Sequence, residues 1–99
     1  MKAETKYQAS VIRRLSNEFP GCIVIRLDPR YVQGYPDLLI LYETQWAMLE
    51  VKLSADAETE PNQPYYVEMF DAMSYCAFIY PDNEDVIFYD LQQTLRPRG

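Results

Sequence analysis

Gly34-Tyr-Pro-Asp37 and, thirteen residues past that aspartate, Glu50-Val-Lys52 decide how this chain folds. Each half belongs to an apolar run, Asp37-Leu-Leu-Ile-Leu-Tyr42 and Trp46-Ala-Met-Leu-Glu-Val-Lys-Leu53. Glu43-Thr44-Gln45 between them is short enough for a hairpin, which makes the two runs neighbouring strands. Asp37 is then brought within reach of Glu50 and Lys52. Side chains alternate along a strand, so Glu50 and Lys52 share one face. Charges do not normally interrupt buried strands unless they are paired or hold a metal.

Two carboxylates and a lysine meeting at one point suit chemistry on phosphate. A hard divalent cation there binds the scissile phosphate and lowers the pKa of an attacking water. Magnesium takes oxygen ligands, usually one or two carboxylates with waters and substrate oxygens. Asp37 and Glu50 supply the carboxylates, and the carbonyl of Val51 is a candidate third oxygen. Lys52 would orient the water or stabilise charge developing on the phosphate. It also offsets two carboxylates that would otherwise raise each other's pKa. By spacing alone the pattern is a weak signal, because Glu-x-Lys is common on exposed strand faces. The ordinary alternative is a surface ion pair beside a turn aspartate. Gly34, which lets the backbone approach a ligand closely, and Pro36, which stiffens the approach to the strand, favour the site.

Outward from this centre the pattern is that of an α/β sandwich around a mixed sheet. Residues 3–19 read as an amphipathic helix, with Tyr7, Val11, Leu15 and Phe19 four apart and Pro20-Gly21 ending it. Glu4 and Gln8 share a face of that helix. Cys22-Ile-Val-Ile-Arg-Leu27 is a strand, followed by a loop through Tyr35. After the hairpin the chain is polar and acidic to Glu60. Asn62 then caps a helix over 64–76 that buries Val67, Phe70 and Met73. Ala77–Tyr80 is a fourth strand and Asp85–Tyr89 a fifth, with a short helix from Leu91 to Leu95.

Ninety-nine residues make a single domain, 1–99. The absence of histidine excludes serine–histidine triads and Cys/His zinc sites. Cys22 and Cys76 are too few for a disulfide framework and read as reduced thiols in a cytosolic protein. No apolar run reaches the roughly 20 residues of a membrane span, and the first residues lack a signal-peptide core. The net charge of −6 argues against nucleic acid at first. Its distribution weakens the objection: every Lys and Arg lies in residues 1–52 or is Arg96 or Arg98, while 53–95 holds acids alone. Phosphate could approach the first half while the acidic half faces away. Arg13, Arg14, Arg26 and Arg30 are candidate phosphate contacts, or plain solvated charges. Tyr31 and Tyr35 could stack on a base, or simply pack.

The motif Gly34-x-Pro36-Asp37-Leu38 with Glu50-Val-Lys52 resembles the signature of the PD-(D/E)xK nuclease superfamily. Glu4-x-x-x-Gln8, Pro20-Gly-Cys-Ile-Val-Ile-Arg26 and Pro61-Asn-Gln63 extend the resemblance to the VRR-NUC (virus-type replication-repair nuclease) domain, particularly small phage members. This resemblance implies a restriction-endonuclease-like αβββαβ core and a DNA endonuclease dependent on magnesium or manganese. Asp37 and Glu50 would be metal ligands and Lys52 the catalytic lysine. Glu4 would complete the metal shell, directly or through water, and Gln63 would help position the lysine or substrate. The matching Gln8 joins the arginines and Tyr35 as a substrate-side candidate. Stand-alone members resemble junction resolvases that cut four-way DNA as homodimers; a nicking or homing-type enzyme is the other form. The expected setting is a phage or mobile-element protein in the cytoplasm of a bacterial host. The alternative from another class is a non-catalytic module that keeps the nuclease fold and binds DNA or a protein.

Overall fold

The computed structural model describes residues 2–97. In chain order the elements are α1 (Ala3–Glu18), β1 (Ile23–Arg26), β2 (Leu38–Tyr42), β3 (Gln45–Val51), α2 (Gln63–Met73), β4 (Cys76–Ile79) and α3 (Glu84–Thr94). A short 3₁₀ turn, Pro81–Asn83, leads into α3.

The hairpin is built as its sequence demands. Tyr42 pairs with Gln45 across Glu43 and Thr44, and Leu38 pairs with Leu49. Glu43 takes a positive φ of 56° to close so tight a turn. β1 adds antiparallel to β2, whereas β4 returns parallel to β3 after the α2 crossover. The strand order is β1-β2-β3-β4, a mixed sheet.

Alternation then sorts the two faces. Leu38, Ile40, Ala47, Leu49, Val51 and Ile79 pack with Val11, Leu15 and Phe19 of the α1 region and with Ile87, Phe88 and Leu91 of α3. The other face carries Leu39, Trp46, Met48, Cys76 and Phe78 against Val67 and Phe70 of α2. Asp37, Glu50 and Lys52 fall in the alternation of this second face. The sheet is therefore sandwiched, with α1 and α3 on one side and α2 on the other.

One expected strand is absent. Residues 85–89 and the short helix after them are a single helix, α3. Its buried residues Ile87, Phe88 and Leu91 recur at helical spacing, while Val86 just before them and Tyr89 among them are exposed. The β-branched pair Val86-Ile87 looks strand-like in isolation. Glu84 and Asp85 in the first turn fit the positive end of a helix dipole, which a strand would not offer them. Two details of α2 also differ. It stops at Met73, which is exposed, because the Ser74 hydroxyl donates to the Trp46 carbonyl and Asp71 accepts from the Cys76 N–H. Asn62 stands at the N-cap, but its side chain makes no capping bond. Among the described residues no helix is long and apolar enough to cross a membrane.

Candidate active site

Extending the Leu38–Leu49 pairing by one residue sets Asp37 opposite Glu50. The Val51 N–H donates to Oδ2 of Asp37 at 2.9 Å, and the Leu27 N–H donates to the Asp37 carbonyl at 2.8 Å. Asp37 is thus held at both ends. Glu50 is only 1 % exposed. Its Oε2 accepts from Nε2 of Gln63 at 2.8 Å and lies 3.5 Å from Nζ of Lys52. Its Oε1 is buried without a hydrogen-bond partner among the described residues.

Burial is what makes this pair unusual. Loss of water pushes the Glu50 carboxyl up to about 8; the adjacent Asp37 charge adds to the rise, and Lys52 opposes it. Burial also raises Asp37, against the pull of the Val51 N–H. A buried and a half-buried carboxyl lie side by side, close enough to interact, with only one lysine beside them. Lys52 brings a single charge for two carboxyls, 3.5 Å from Oε2 of Glu50, and its ammonium also donates to the Glu58 carbonyl at 3.0 Å. The donors are hard oxygens, of which those of Asp37 line a cleft, and their chemistry suits a small divalent cation.

That cleft has a volume of about 400 Å³ and is walled by Pro29–Tyr35 on one side and by Glu60 and Gln63 on the other. Gly34 lets the walls meet. It has φ +97°, and a Cβ there would stand 2.9 Å from Cβ of Asn62 and 3.1 Å from its backbone carbon. The close approach that glycine permits is to the start of α2. Across the mouth, Nε2 of Gln33 donates to Oε2 of Glu60 at 2.8 Å. Gln63 ties this rim to the acids beneath it, because its Oε1 accepts from the Glu60 N–H while its Nε2 reaches Glu50. A second cavity of about 420 Å³ lies beyond Lys52 and is lined by Ala57, Pro64, Phe78, Tyr80 and Ile87 among others. Among the described residues no acid lines it, so the candidate metal ligands are all on the Asp37 side.

The structure therefore gathers Asp37, Glu50, Lys52 and Gln63. Val51 joins them through its N–H, where the sequence reading counts on its carbonyl. Glu4 stays exposed on the first turn of α1, and no cluster of three potential metal ligands forms among the described residues. Gln8 accepts from Nε of Arg26 at 3.0 Å, a pair on the α1 side of the sheet. Arg14 is committed elsewhere. It bonds Glu18, Glu84 and Asp85 and lies 4.2 Å over the Phe88 ring, clamping α1 to α3. Arg13 is exposed on α1, and Arg30 is exposed at the cleft but chelated by Asp28. Tyr35 packs edge-on against Tyr66 and Phe70, and Tyr31 is exposed. Cys76 is inert: burial pushes its thiol up to about 12.

Gln33, Glu58 and Glu60 were not legible as site residues. Their chain segment reads as polar loop, and only tertiary folding brings them over the acids. The acidic half does not wholly face away from the site, since Glu60 stands at its mouth.

No family model and no curated protein matches the sequence. A solved structure does share the fold. It is described as a VRR_NUC domain protein, with a TM-score of 0.64 and 18 % identity over 95 % of this chain and 91 % of that one. The chain has the VRR-NUC fold. The likeness covers nearly the whole of this chain, whose mixed sheet flanked by helices is a restriction-endonuclease-like architecture. At this identity the VRR-NUC likeness carries the architecture, and the roles of individual residues rest on the geometry above.

Proposed function

We propose that this single domain is an endonuclease that hydrolyses phosphodiester bonds in DNA with a magnesium or manganese ion at Asp37 and Glu50. The observation that carries the reading is the buried Oε1 of Glu50, without a hydrogen-bond partner among the described residues, beside the carboxyl of Asp37, which lines the cleft. The chemistry such an ion supplies when bound is charge neutralisation at the phosphate and a more acidic water.

The chain's own residues divide the remaining work. Asp37 is oriented by the Val51 N–H, and Glu50 by Gln63. Both acids are thereby fixed before any ligand arrives, which removes reorganisation from the reaction. Lys52 sits close enough to Glu50 to meet the attacking water or the phosphate once its ammonium leaves the Glu58 carbonyl. Glu4 would act through water from α1. Arg30, paired with Asp28 at the cleft, is the arginine nearest the acids; Arg13 and Arg26, with Gln8 holding Arg26, lie on the α1 side of the sheet and would meet phosphate only where the strand passes that edge, and Arg14 drops out of that role. DNA that is branched or duplex, and assembly as a homodimer, belong to the same proposal.

One observation favours the rival reading of a non-catalytic binding module: the Glu60 carboxylate stands where phosphate would enter. Incubating branched and linear DNA with magnesium, beside an Asp37→Asn control, separates the two. Cutting that disappears in Asp37→Asn supports the nuclease. Binding without cutting on every substrate supports the module.

A further inference from the structure

The face that carries the two acids continues into an apolar groove. Along β2 the same face runs Asp37, Leu39, Leu41, and along β3 it runs Glu50, Met48, Trp46. Leu27, Tyr35 and Phe70 complete a groove of about 430 Å³ beside them. Among the described residues no charged side chain lines it. Tyr35 lines both this groove and the cleft of Asp37, so the two are neighbours on either side of its ring. α2 covers only part of this face. Ile23, Ile25 and Leu41 remain 58 %, 40 % and 36 % exposed. Trp46 and Phe70 stand edge to face with their centroids 6.5 Å apart, leaving an aromatic wall half-open to solvent.

We propose that this groove seats an unpaired nucleobase of the same DNA strand whose phosphate lies at Asp37 and Glu50. The inference rests on the nuclease reading and narrows it to substrates with a base out of the duplex stack. Three features point this way. Adjacent same-face positions on a strand lie roughly 7 Å apart, so groove and acids are within one nucleotide's reach. Beside the cleft the cations that would hold a duplex backbone are few: Arg14 is clamped, Arg30 is paired with Asp28, Lys52 is buried, and Arg13 and Arg26 lie on the α1 side of the sheet. Affinity must then come from stacking more than from counterion release. Finally, the Gln33–Glu60 contact sets a carboxylate at the cleft, which adds repulsion for each further phosphate that a duplex would bring.

Trp46 is the only tryptophan, so its fluorescence reports on the groove. The full chain, in EDTA to prevent cleavage, is titrated with a short oligothymidylate, with the same strand carrying abasic positions, and with duplex. Base-dependent quenching of Trp46 is expected, with the abasic strand binding about ten-fold or more weakly. Leu41→Asp, a change at a partly exposed position, should weaken the oligothymidylate similarly while leaving the unfolding temperature near that of the parent. Equal binding of intact and abasic strands overturns the proposal. So does a dimer that Leu41→Asp dissociates without any base-dependent quenching, which would assign the groove to a second copy. Cleavage with magnesium is scored separately. Cutting without base-dependent quenching removes the base seat and keeps the nuclease; quenching without cutting does the reverse.

Discussion

Glu50 is buried with one oxygen bonded and the other bare, so its proton depends on what lies beside it. Without a metal the folded protein holds a proton on this group between the ordinary value of 4.5 and about 8, whereas the unfolded chain has released it. Stability from this group is present at the acid end and is lost as pH rises through the folded value. The metal-free protein should therefore melt at a lower temperature at pH 8 than at pH 5.5, and Glu50→Gln should flatten that slope. A parent profile that rises over the same interval would show the carboxyl to be ionised throughout. Lys52 belongs to the same scale. Lys52→Ala should lower turnover by about 10²–10³-fold, as loss of a group stabilising transition-state charge does, with unfolding temperature little changed. Retained turnover would mean that another group orients the water. Asp37, Glu50 and Lys52 are legible in the sequence because a charge in an apolar strand needs a reason. The partners of Lys52 and Gln63 are not, since they depend on where the loop between β3 and α2 comes to rest.

Gly34 shows how an element junction constrains the site. Its left-handed backbone lets the loop before β2 press on the start of α2, so the cleft wall depends on the absence of a side chain. Gly34→Ala should cost about 1–3 kcal/mol and weaken metal binding as the wall shifts, measured by denaturant unfolding and ion titration. A neutral substitution would show that the wall is free to yield. On the opposite face, Arg14 joins α1 to the first turn of α3 through Glu84 and Asp85. Arg14→Met should cost about 1–3 kcal/mol of stability and leave DNA binding intact. The reverse result, weakened DNA binding in a stable protein, would return Arg14 to the phosphate contacts. α1, the hairpin and α2 were readable from period and turn chemistry. α3 was not, because a five-residue apolar stretch satisfies helix and strand alike until its neighbours show which side is buried.

Across the whole molecule the acid-rich half is put to structural use. Glu84 and Asp85 stabilise the start of α3, and Glu60 stands at the cleft, so net charge alone does not say which acids face the candidate site. Sheet order and the near-complete overlap with a VRR-NUC fold follow from the hairpin at the centre. What length and charge could not reveal is that the site lies on the less covered face, next to an open apolar groove. The central claim is that Asp37 and Glu50 together hold a hard cation. Calorimetric titration with Mn²⁺ near pH 7, run in buffers of different ionisation enthalpy, tests it most directly. A saturable site that releases protons on binding and is lost in Glu50→Gln is the expected result. Undiminished binding in Glu50→Gln, or no binding by the parent protein, would contradict it.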